Sequence, residues 1–207
     1  MKRDPGWRGL LFLTALALGL WVWAFAVPMG NFWVKISLSA AVLATLSFLL
    51  KRDLSPSFPF DIRDLILGLC AAGVLYLIFM IGRTVSLYLF GFARAQIGGI
   101  YAKGAGTPSW VIALLLFFIT GPSEEIFWRG FLQKGFQEKL GNGKGYFLAT
   151  ALYAGVHICS MNFILVGAAA VAGAFWGALY WRTHSLAVVI ISHSVWSTVI
   201  FTTFPLR

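Results

Sequence analysis

Apolar runs of membrane-spanning length restrict the folds open to this chain. A helix crosses the hydrocarbon core of a bilayer, about 30 Å thick, with about 20 residues. Seven runs follow one another, at residues 9–27, 32–50, 65–81 with an extension to 92, 109–120 with a second helical part from 123 to about 140, 146–158, 163–181 and 185–203. Because backbone groups within a bilayer must be hydrogen-bonded inside the chain, the sequence predicts an all-α, polytopic integral membrane protein of about seven transmembrane helices.

The composition excludes an ordinary soluble protein. Of the 207 residues, 59% are hydrophobic and 11% are charged, whereas soluble domains are about a quarter charged. The net charge of +9 does not indicate a nucleic-acid partner, because Lys and Arg stand at the ends of apolar runs. Lys and Arg are more numerous in the segments that are predicted to lie on the same side of the membrane as the N-terminus. We expect the bilayer as partner, no nucleic acid, and a multi-pass protein of the bacterial inner (plasma) membrane with a cytoplasmic N-terminus.

The first run has some features of a signal peptide. A basic start with Lys2, Arg3 and Arg8 precedes it, and Ala24-Phe25-Ala26 resembles a signal-peptidase site. The run is longer than a usual signal core, so a retained helix is favoured.

Several polar segments interrupt the runs. Gly121-Pro122 divides the fourth run, and proline kinks a helix interior. We therefore predict a kinked or broken fourth helix whose second part begins near Ser123 as N-cap. A polar loop, an interfacial loop or short amphipathic piece, and a flexible turn are predicted at residues 51–64, 94–108 and 141–145.

Two of the three glutamates, Glu124 and Glu125, stand side by side after the charge-free stretch 110–120. Ionisable groups at membrane depth are costly and mark function by default. Glu125 and Arg129 are four residues apart and share a helical face, so we predict that they pair. Glu124 points about 100° away, so it is predicted to stay available for chemistry.

Two later spans each carry a histidine with a polar neighbour one turn away, Tyr153 with His157 and His193 with Ser197. Each pair shares one helical face. Counted at about 1.5 Å per residue from the span ends, both histidines and the available glutamate fall in the middle or inner part of the bilayer. We expect them to converge on one water-accessible cavity. His184 is predicted in a solvated turn.

A carboxylate, two histidines and a buried arginine suit the activation of water. The carboxylate, assisted by one histidine, takes a proton from water, which attacks a carbonyl. The second histidine and its neighbour stabilise the oxyanion. No serine or cysteine stands out as a nucleophile. Cys70 and Cys159 lie in apolar runs, and we predict neither a disulfide nor a cysteine-ligated metal. Hydrolysis without a covalent intermediate, and without a cofactor, is favoured.

Two alternatives stay open. Glu124, His157 and His193 can be interpreted as three zinc ligands with water as the fourth, as in a zinc-dependent intramembrane protease. The sequence lacks a local ligand pair such as His-Glu-x-x-His, which makes metal the second choice. The polar residues can also belong to a non-catalytic membrane scaffold, a transporter or a bacteriocin-immunity factor, with Glu125 and Arg129 as a structural ion pair.

Three motifs in this order resemble those of the CAAX-protease and bacteriocin-processing family, namely Glu124-Glu125-x-x-x-Arg129, Tyr153-x-x-x-His157 and His193-x-x-x-Ser197. That family comprises intramembrane glutamic proteases related to the type II CAAX prenyl endopeptidase. The resemblance covers roughly residues 109–197. We accordingly treat 1–207 as a single transmembrane domain with generic N-terminal spans, 1–108, and a catalytic core, 109–203.

The resemblance implies a mostly helical fold with the site in a cavity open to the membrane. It implies that Glu124 with His157 activates water, that Glu125 and Arg129 shape the site, and that His193, with Ser197 one turn along, supports the oxyanion. Tyr153 and Trp128 are assigned to substrate binding, and no metal is assigned.

The implied reaction is hydrolysis of a peptide bond in a membrane-associated or lipid-anchored peptide or protein. Tyr153 stands where phenylalanine is common in the family, and Ser197 stands where prenyl-processing members have asparagine. Serine still donates a hydrogen bond but reaches less far. The substrate, its prenylation and the oligomeric state therefore stay open.

Overall fold

The computed structural model describes residues 6–50 and 61–207, and the regular elements in these ranges are helical. The predicted basic start at Lys2 and Arg3 and most of the polar loop after the second run lie outside the described residues. The helices are α1 (Gly6–Ala26), α2 (Phe32–Leu50), α3 (Ile62–Leu89), α4 (Ala93–Ala102), α5 (Ser109–Leu140), α6 (Asn142–Val156), α7 (Phe163–Thr183) and α8 (Leu186–Thr203).

Six of these helices, α1, α2, α3, α5, α7 and α8, are long and apolar enough to cross a membrane. The predicted all-α, multi-pass membrane fold is thereby confirmed. The remaining predicted span corresponds to α6, which has 15 residues and covers only about 22 Å as a helix. A short 3-10 turn, His157–Ser160, follows it.

Helix α6 ends inside the protein beside α7. Tyr146 donates a hydrogen bond to the carbonyl oxygen of Ala174 at 3.0 Å, and the ring of Tyr153 packs against Gly173. The two helices therefore run antiparallel, and α7 extends beyond the end of α6. Irregular backbone at membrane depth is tolerated where it lies inside protein or lines a cavity. His157 is the first residue of that irregular segment.

Helix α5 continues through Gly121-Pro122, where the sequence predicted an interruption. Two π-helical stretches, Leu115–Thr120 and Ile126–Gln133, flank this position. The amide of Gly121 bonds to the carbonyl oxygen of Leu116, five residues back. This wider turn accommodates the proline without a break, so the irregularity takes the form of π turns, and Ser123 lies within the helix instead of capping it.

The predicted flexible turn at 141–145 is shorter in the structure. Gly141 alone reverses the chain, with φ of 86°, and α6 begins at Asn142. Gly145 lies directly against α5, where an added Cβ would be 2.4 Å from the amide nitrogen of Gln137. The glycines of this stretch therefore serve close helix packing as well as the turn.

Caps and polar contacts fix the remaining helix ends. Ser185 caps α8 by accepting from the amide of Val188, and its hydroxyl donates to Asp64 at the start of α3. Asn162 caps α7 and donates to the carbonyl oxygen of Gln96 at 2.8 Å, which ties α4 to α7. His184 is exposed in the turn before α8, as predicted.

Candidate active site

Helix α5 carries Glu124 and Glu125 into different surroundings. Glu125 is fully buried, and its Oε1 accepts from Nη1 of Arg129 at 2.8 Å and from Nδ1 of His193 at 2.6 Å. The predicted pair with Arg129 is present. The bond to His193 joins α5 to α8, so a single carboxylate oxygen holds two of the proposed site residues.

The guanidinium of Arg129 is enclosed on several sides. Its Nη2 donates to the carbonyl oxygen of Gly173 at 3.3 Å, and its Cζ lies 4.8 Å from the ring centroid of Tyr153 and 5.5 Å from that of Trp176. Aromatic faces attract such a cation electrostatically. The charge of Glu125 is therefore compensated inside the helix bundle.

Glu124 has fewer partners. It is 6% exposed, and its Oε2 accepts a hydrogen bond from the hydroxyl of Tyr153 at 3.1 Å. No cation of the described residues forms an ion pair with it. The asymmetry predicted between the two glutamates is present, and Glu124 is the carboxylate that lines the cavity described below.

The imidazole of His193 is fixed in position. Nδ1 lies against Glu125, and the ring stacks on Trp176 with centroids 3.9 Å apart and planes 14° apart. Trp176 is itself held by the bond from its Nε1 to the hydroxyl of Ser192 at 3.1 Å. Since a carboxylate only accepts, Nδ1 carries a proton. Nε2 then accepts in the neutral ring and donates once a second proton is bound.

His157 has a different set of partners. Its Nδ1 lies 2.8 Å from the carbonyl oxygen of Tyr153, which requires a proton on Nδ1 and leaves Nε2 as the acceptor. The indole Nε1 of Trp21, in α1, is 3.4 Å from that Nε2. This bond is longer than usual, so it is weak enough for another donor to compete.

The remaining predicted residues differ in position. Ser197 is buried on the cavity wall, where its hydroxyl donates to the carbonyl oxygen of Ser194 at 3.4 Å. Tyr153 also lines the cavity. Trp128 does not line it; its ring packs edge-on behind Tyr153, with centroids 5.2 Å apart. Trp128 is buried in the π-helical stretch Ile126–Gln133, where side-chain directions depart from the α-helical wheel. Its contact with substrate stays a prediction.

A cavity of about 130 Å³ brings these groups together. Its wall includes four residues of the three motifs besides Tyr153, namely Glu124, His157, His193 and Ser197. A water molecule needs polar partners and about 10–15 Å³, so the cavity has room for water next to Glu124. The remainder of the wall is mostly apolar, with Phe25, Phe32, Trp33, Ile36 and Leu116 among its members.

A second, larger cavity of about 350 Å³, whose wall is also mostly apolar, adjoins the first. The two share wall residues, namely Phe79, Ile100, Leu165, Ala168, Trp196 and Phe201. The wall of the second cavity also includes outward-facing side chains of α7, a helix long and apolar enough to cross a membrane. Examples are Phe163 and Val171, which are 60% and 44% exposed. An apolar route therefore leads from the lipid-facing side towards Glu124.

Within residues 6–50 and 61–207, no group of three or more His, Cys, Asp and Glu side chains is arranged to hold a metal ion. The three residues considered as zinc ligands engage other protein groups instead. Glu124 accepts from Tyr153, His157 contacts the Tyr153 carbonyl, and His193 contacts Glu125.

The sequence analysis did not find the contributions of the N-terminal helices. Trp21, Phe25 and Phe32 come from spans that were treated as generic, yet Trp21 contacts His157 and the two phenylalanines line the cavity. Trp176, which stacks on His193, was also missed. An indole or phenyl ring in an apolar span has no local signal that separates a site wall from ordinary packing.

Fold and site together define a class: multi-pass helical membrane proteins with a buried carboxylate–histidine site beside an apolar cavity. Residues 106–199 match the family model "Type II CAAX prenyl endopeptidase Rce1-like", which confirms the resemblance predicted from the three motifs. This segment, just under half of the chain, is similar to that family, which is a family of proteases. No curated protein and no solved structure matches the chain.

Proposed function

We propose that the protein is an intramembrane endopeptidase that hydrolyses a peptide bond of a membrane-associated or lipid-anchored peptide. The observation that carries this proposal is the contrast between the two glutamates. Glu125 is neutralised by Arg129, whereas Glu124 faces the cavity and, within residues 6–50 and 61–207, has the Tyr153 hydroxyl as its only hydrogen-bond partner. A buried carboxylate without a cation is costly, and a role as general base accounts for its presence.

In the proposed reaction, Glu124 takes one proton from a water molecule in the cavity. Nε2 of His157 accepts the other water proton as a hydrogen bond, in place of the long contact from Trp21. The water oxygen forms a bond to the peptide carbonyl carbon, and the carbonyl oxygen becomes an oxyanion. Glu124 then gives its proton to the peptide nitrogen, and the C–N bond breaks to leave a carboxylic acid and an amine. A proton passes from the acid to the amine, so that a carboxylate and an ammonium group are released.

His193 and Ser197 would stabilise the oxyanion. With both nitrogens protonated, His193 donates Nδ1–H to Glu125 and presents Nε2–H to the cavity. A carboxylate stabilises an imidazolium in this manner in hydrolase triads. The hydroxyl of Ser197 supplies a second donor after it leaves the long bond to Ser194.

The adjoining cavity supports a substrate with an apolar segment or chain, because its wall is apolar and meets the first cavity. We further infer a location in the bacterial plasma membrane. The N-terminus would lie on the cytoplasmic side, because Lys and Arg are more numerous in the segments predicted on that side of the membrane.

Mass spectrometry of membrane peptides from cells that express the wild-type protein or E124Q tests this function. The glutamine amide of E124Q cannot accept the proton from water, so we expect the cleavage products to disappear. Activity should fall at least about 10²–10⁴-fold, while the abundance of the protein stays unchanged. E138Q, at an exposed glutamate, is the matched control. Identical peptide profiles for E124Q and wild type would contradict the proposal and favour a scaffold or transporter.

Removal of divalent metal separates the two hydrolytic chemistries. If Glu124 is the base, activity of the purified protein survives exhaustive chelation, and zinc does not copurify in stoichiometric amount. Activity that disappears with a chelator and returns in proportion to added zinc would instead make Glu124, His157 and His193 a coordination shell.

A further inference from the structure

Lys103 is a cation on the cavity wall that has no carboxylate partner among the described residues. It lies directly after α4 and lines the cavity that Glu124, His157 and His193 also line. Its Nζ lies 4.8 Å from the ring centroid of Phe32 and 5.2 Å from that of Phe25. No carboxylate of the described residues forms an ion pair with it.

A second lysine increases the positive charge at this end of the cavity. Lys35 is 6% exposed, and its Nζ donates to the carbonyl oxygens of Trp23 and Val27. Burial, followed by the charge of Lys35, lowers the pKa of Lys103. Two neighbouring buried or half-buried ammonium groups are unfavourable unless an anion joins them.

The aromatic rings hold Lys103 close to the proposed chemistry. Phe25 contacts the Lys103 ammonium on one side and the His157 ring on the other, with the phenyl and imidazole centroids 5.9 Å apart. Phe25 and Phe32 also contact each other edge-on, with centroids 5.1 Å apart. The two rings therefore hold the ammonium beside the cavity, while the residue stays partly exposed.

We infer that Lys103 is a specificity-determining residue that binds a carboxylate of the substrate, beside the bond that is hydrolysed. The inference rests on the proposed function. A carboxylate accepts a charge-assisted hydrogen bond from the ammonium and neutralises the positive end of the cavity. The carboxylate is either the terminal one of a peptide or an Asp or Glu side chain.

A binding experiment that requires no turnover tests the inference. The probe is myristoyl-Lys(fluorophore)-Ala-Leu-Ala, made with a free terminal carboxylate, as a carboxamide, and as a carboxamide with Asp in the last position. Binding to E124Q in nanodiscs of zwitterionic lipid is followed by fluorescence anisotropy. We expect a carboxylate to improve binding by about tenfold to hundredfold, and the two carboxylate forms show whether a terminal or a side-chain group is preferred.

Matched lysine variants assign the effect. In the E124Q background, K103M removes the charge but keeps the length of the side chain, and should abolish the preference, whereas K103R should retain it. K144M, at an exposed lysine outside the cavity wall, should bind as E124Q does. A preference that survives K103M, equal binding of all three forms, or no binding of any form would overturn the inference. Equal binding of the three forms, together with retention of anionic lipid that is lost in K103M, would assign Lys103 to a headgroup and would also overturn it.

The same probes separate this inference from the proposed function. Carboxylate-dependent binding without any hydrolysis by the wild-type protein would contradict the proposed protease activity and support the Lys103 site. Hydrolysis by the wild-type protein with equal kcat/KM for the carboxylate and carboxamide forms would support the proposed protease activity and contradict the Lys103 site.

Discussion

At the scale of the residue, the bond network around Glu125 is the most constrained feature of the site. One carboxylate oxygen accepts from both Arg129 and His193, while its other oxygen, Oε2, has no partner among the described residues. Removal of the arginine would leave a buried carboxylate without a cation. The pair therefore matters for the stability of the fold as much as for catalysis.

We expect R129M to lower the free energy of unfolding by about 3–5 kcal/mol, because the variant keeps the bulk of the side chain but leaves Glu125 uncompensated. Thermal unfolding in detergent, followed by tryptophan fluorescence, and the yield of folded protein provide the measurement. R182M, at an exposed arginine near the end of α7, is the control. An unchanged melting temperature for R129M would show that the pair contributes little.

Lys103 gives a prediction about pH. Burial and Lys35 lower its pKa from the ordinary value of 10.5, so the ammonium loses its proton at a lower pH than a solvated lysine does. The preference for a carboxylate should decrease as the pH rises, with a midpoint below 10.5. In K103R the preference should persist through this range, since arginine keeps its proton. A pH-independent preference in the E124Q protein would contradict the assignment.

The residue scale also shows what sequence could predict. Glu125 and Arg129 are four residues apart on one helix, so their pairing follows from helical geometry. The bond from Trp21 to His157 joins residues 136 apart, and the bond from His193 to Glu125 joins residues 68 apart. Such contacts depend on how the helices pack, and a single sequence carries no direct information about that packing.

At the scale of the element, helix bounds were predictable where a hydrophobic run meets polar residues. Phe32–Leu50 and the starts of α5 and α7 agree with the predicted spans. The end of α6 and the π turns of α5 were not predictable, because both depend on neighbouring helices. Helix α6 stops at Val156, where His157 meets α1 and the cavity, although the predicted span continues for two further residues, to Ile158.

Helix α5 approaches α8 most closely at Gly121. A Cβ added there would lie 2.5 Å from the hydroxyl oxygen and 3.0 Å from Cα of Ser194. We expect G121A to force the two helices apart and to destabilise the protein by about 1–3 kcal/mol. Because Glu125 and His193 lie on these same helices, activity should fall further than stability alone explains.

G19A is the matched control for this prediction. Gly19 lies in α1 with nothing within 4 Å of an added Cβ, so alanine should be neutral or stabilise the helix by up to about 1 kcal/mol. Unfolding in detergent measures both variants. Equal stability of G121A and G19A would argue against a tight contact at Ser194.

At the scale of the whole molecule, the short helix α6 decides the number of membrane crossings. If α6 and the segment up to Asn162 together cross the bilayer, the helices make seven crossings and the two ends of the chain lie on opposite sides. We expect this arrangement, with the N-terminal end in the cytoplasm. Fusions of alkaline phosphatase, active outside, and green fluorescent protein, fluorescent inside, to each end provide the measurement. Both ends on one side would leave α6 as a helix that enters and leaves by the same face.

The π turn before Glu124 has a consequence for changes in chain length. Residues 115–120 contain one more residue than an α-helix of the same rise would need. The loss of one residue here, for example the outward-facing Phe118, would let the segment relax into a regular α-helix. The extra residue adds almost no net rotation, so everything after it would keep its orientation relative to the preceding part of the helix, and Glu124 would still face the cavity. This stretch should therefore accept the loss of one residue far more readily than a regular α-helical part of α5, where a deletion would rotate everything after it by about 100°.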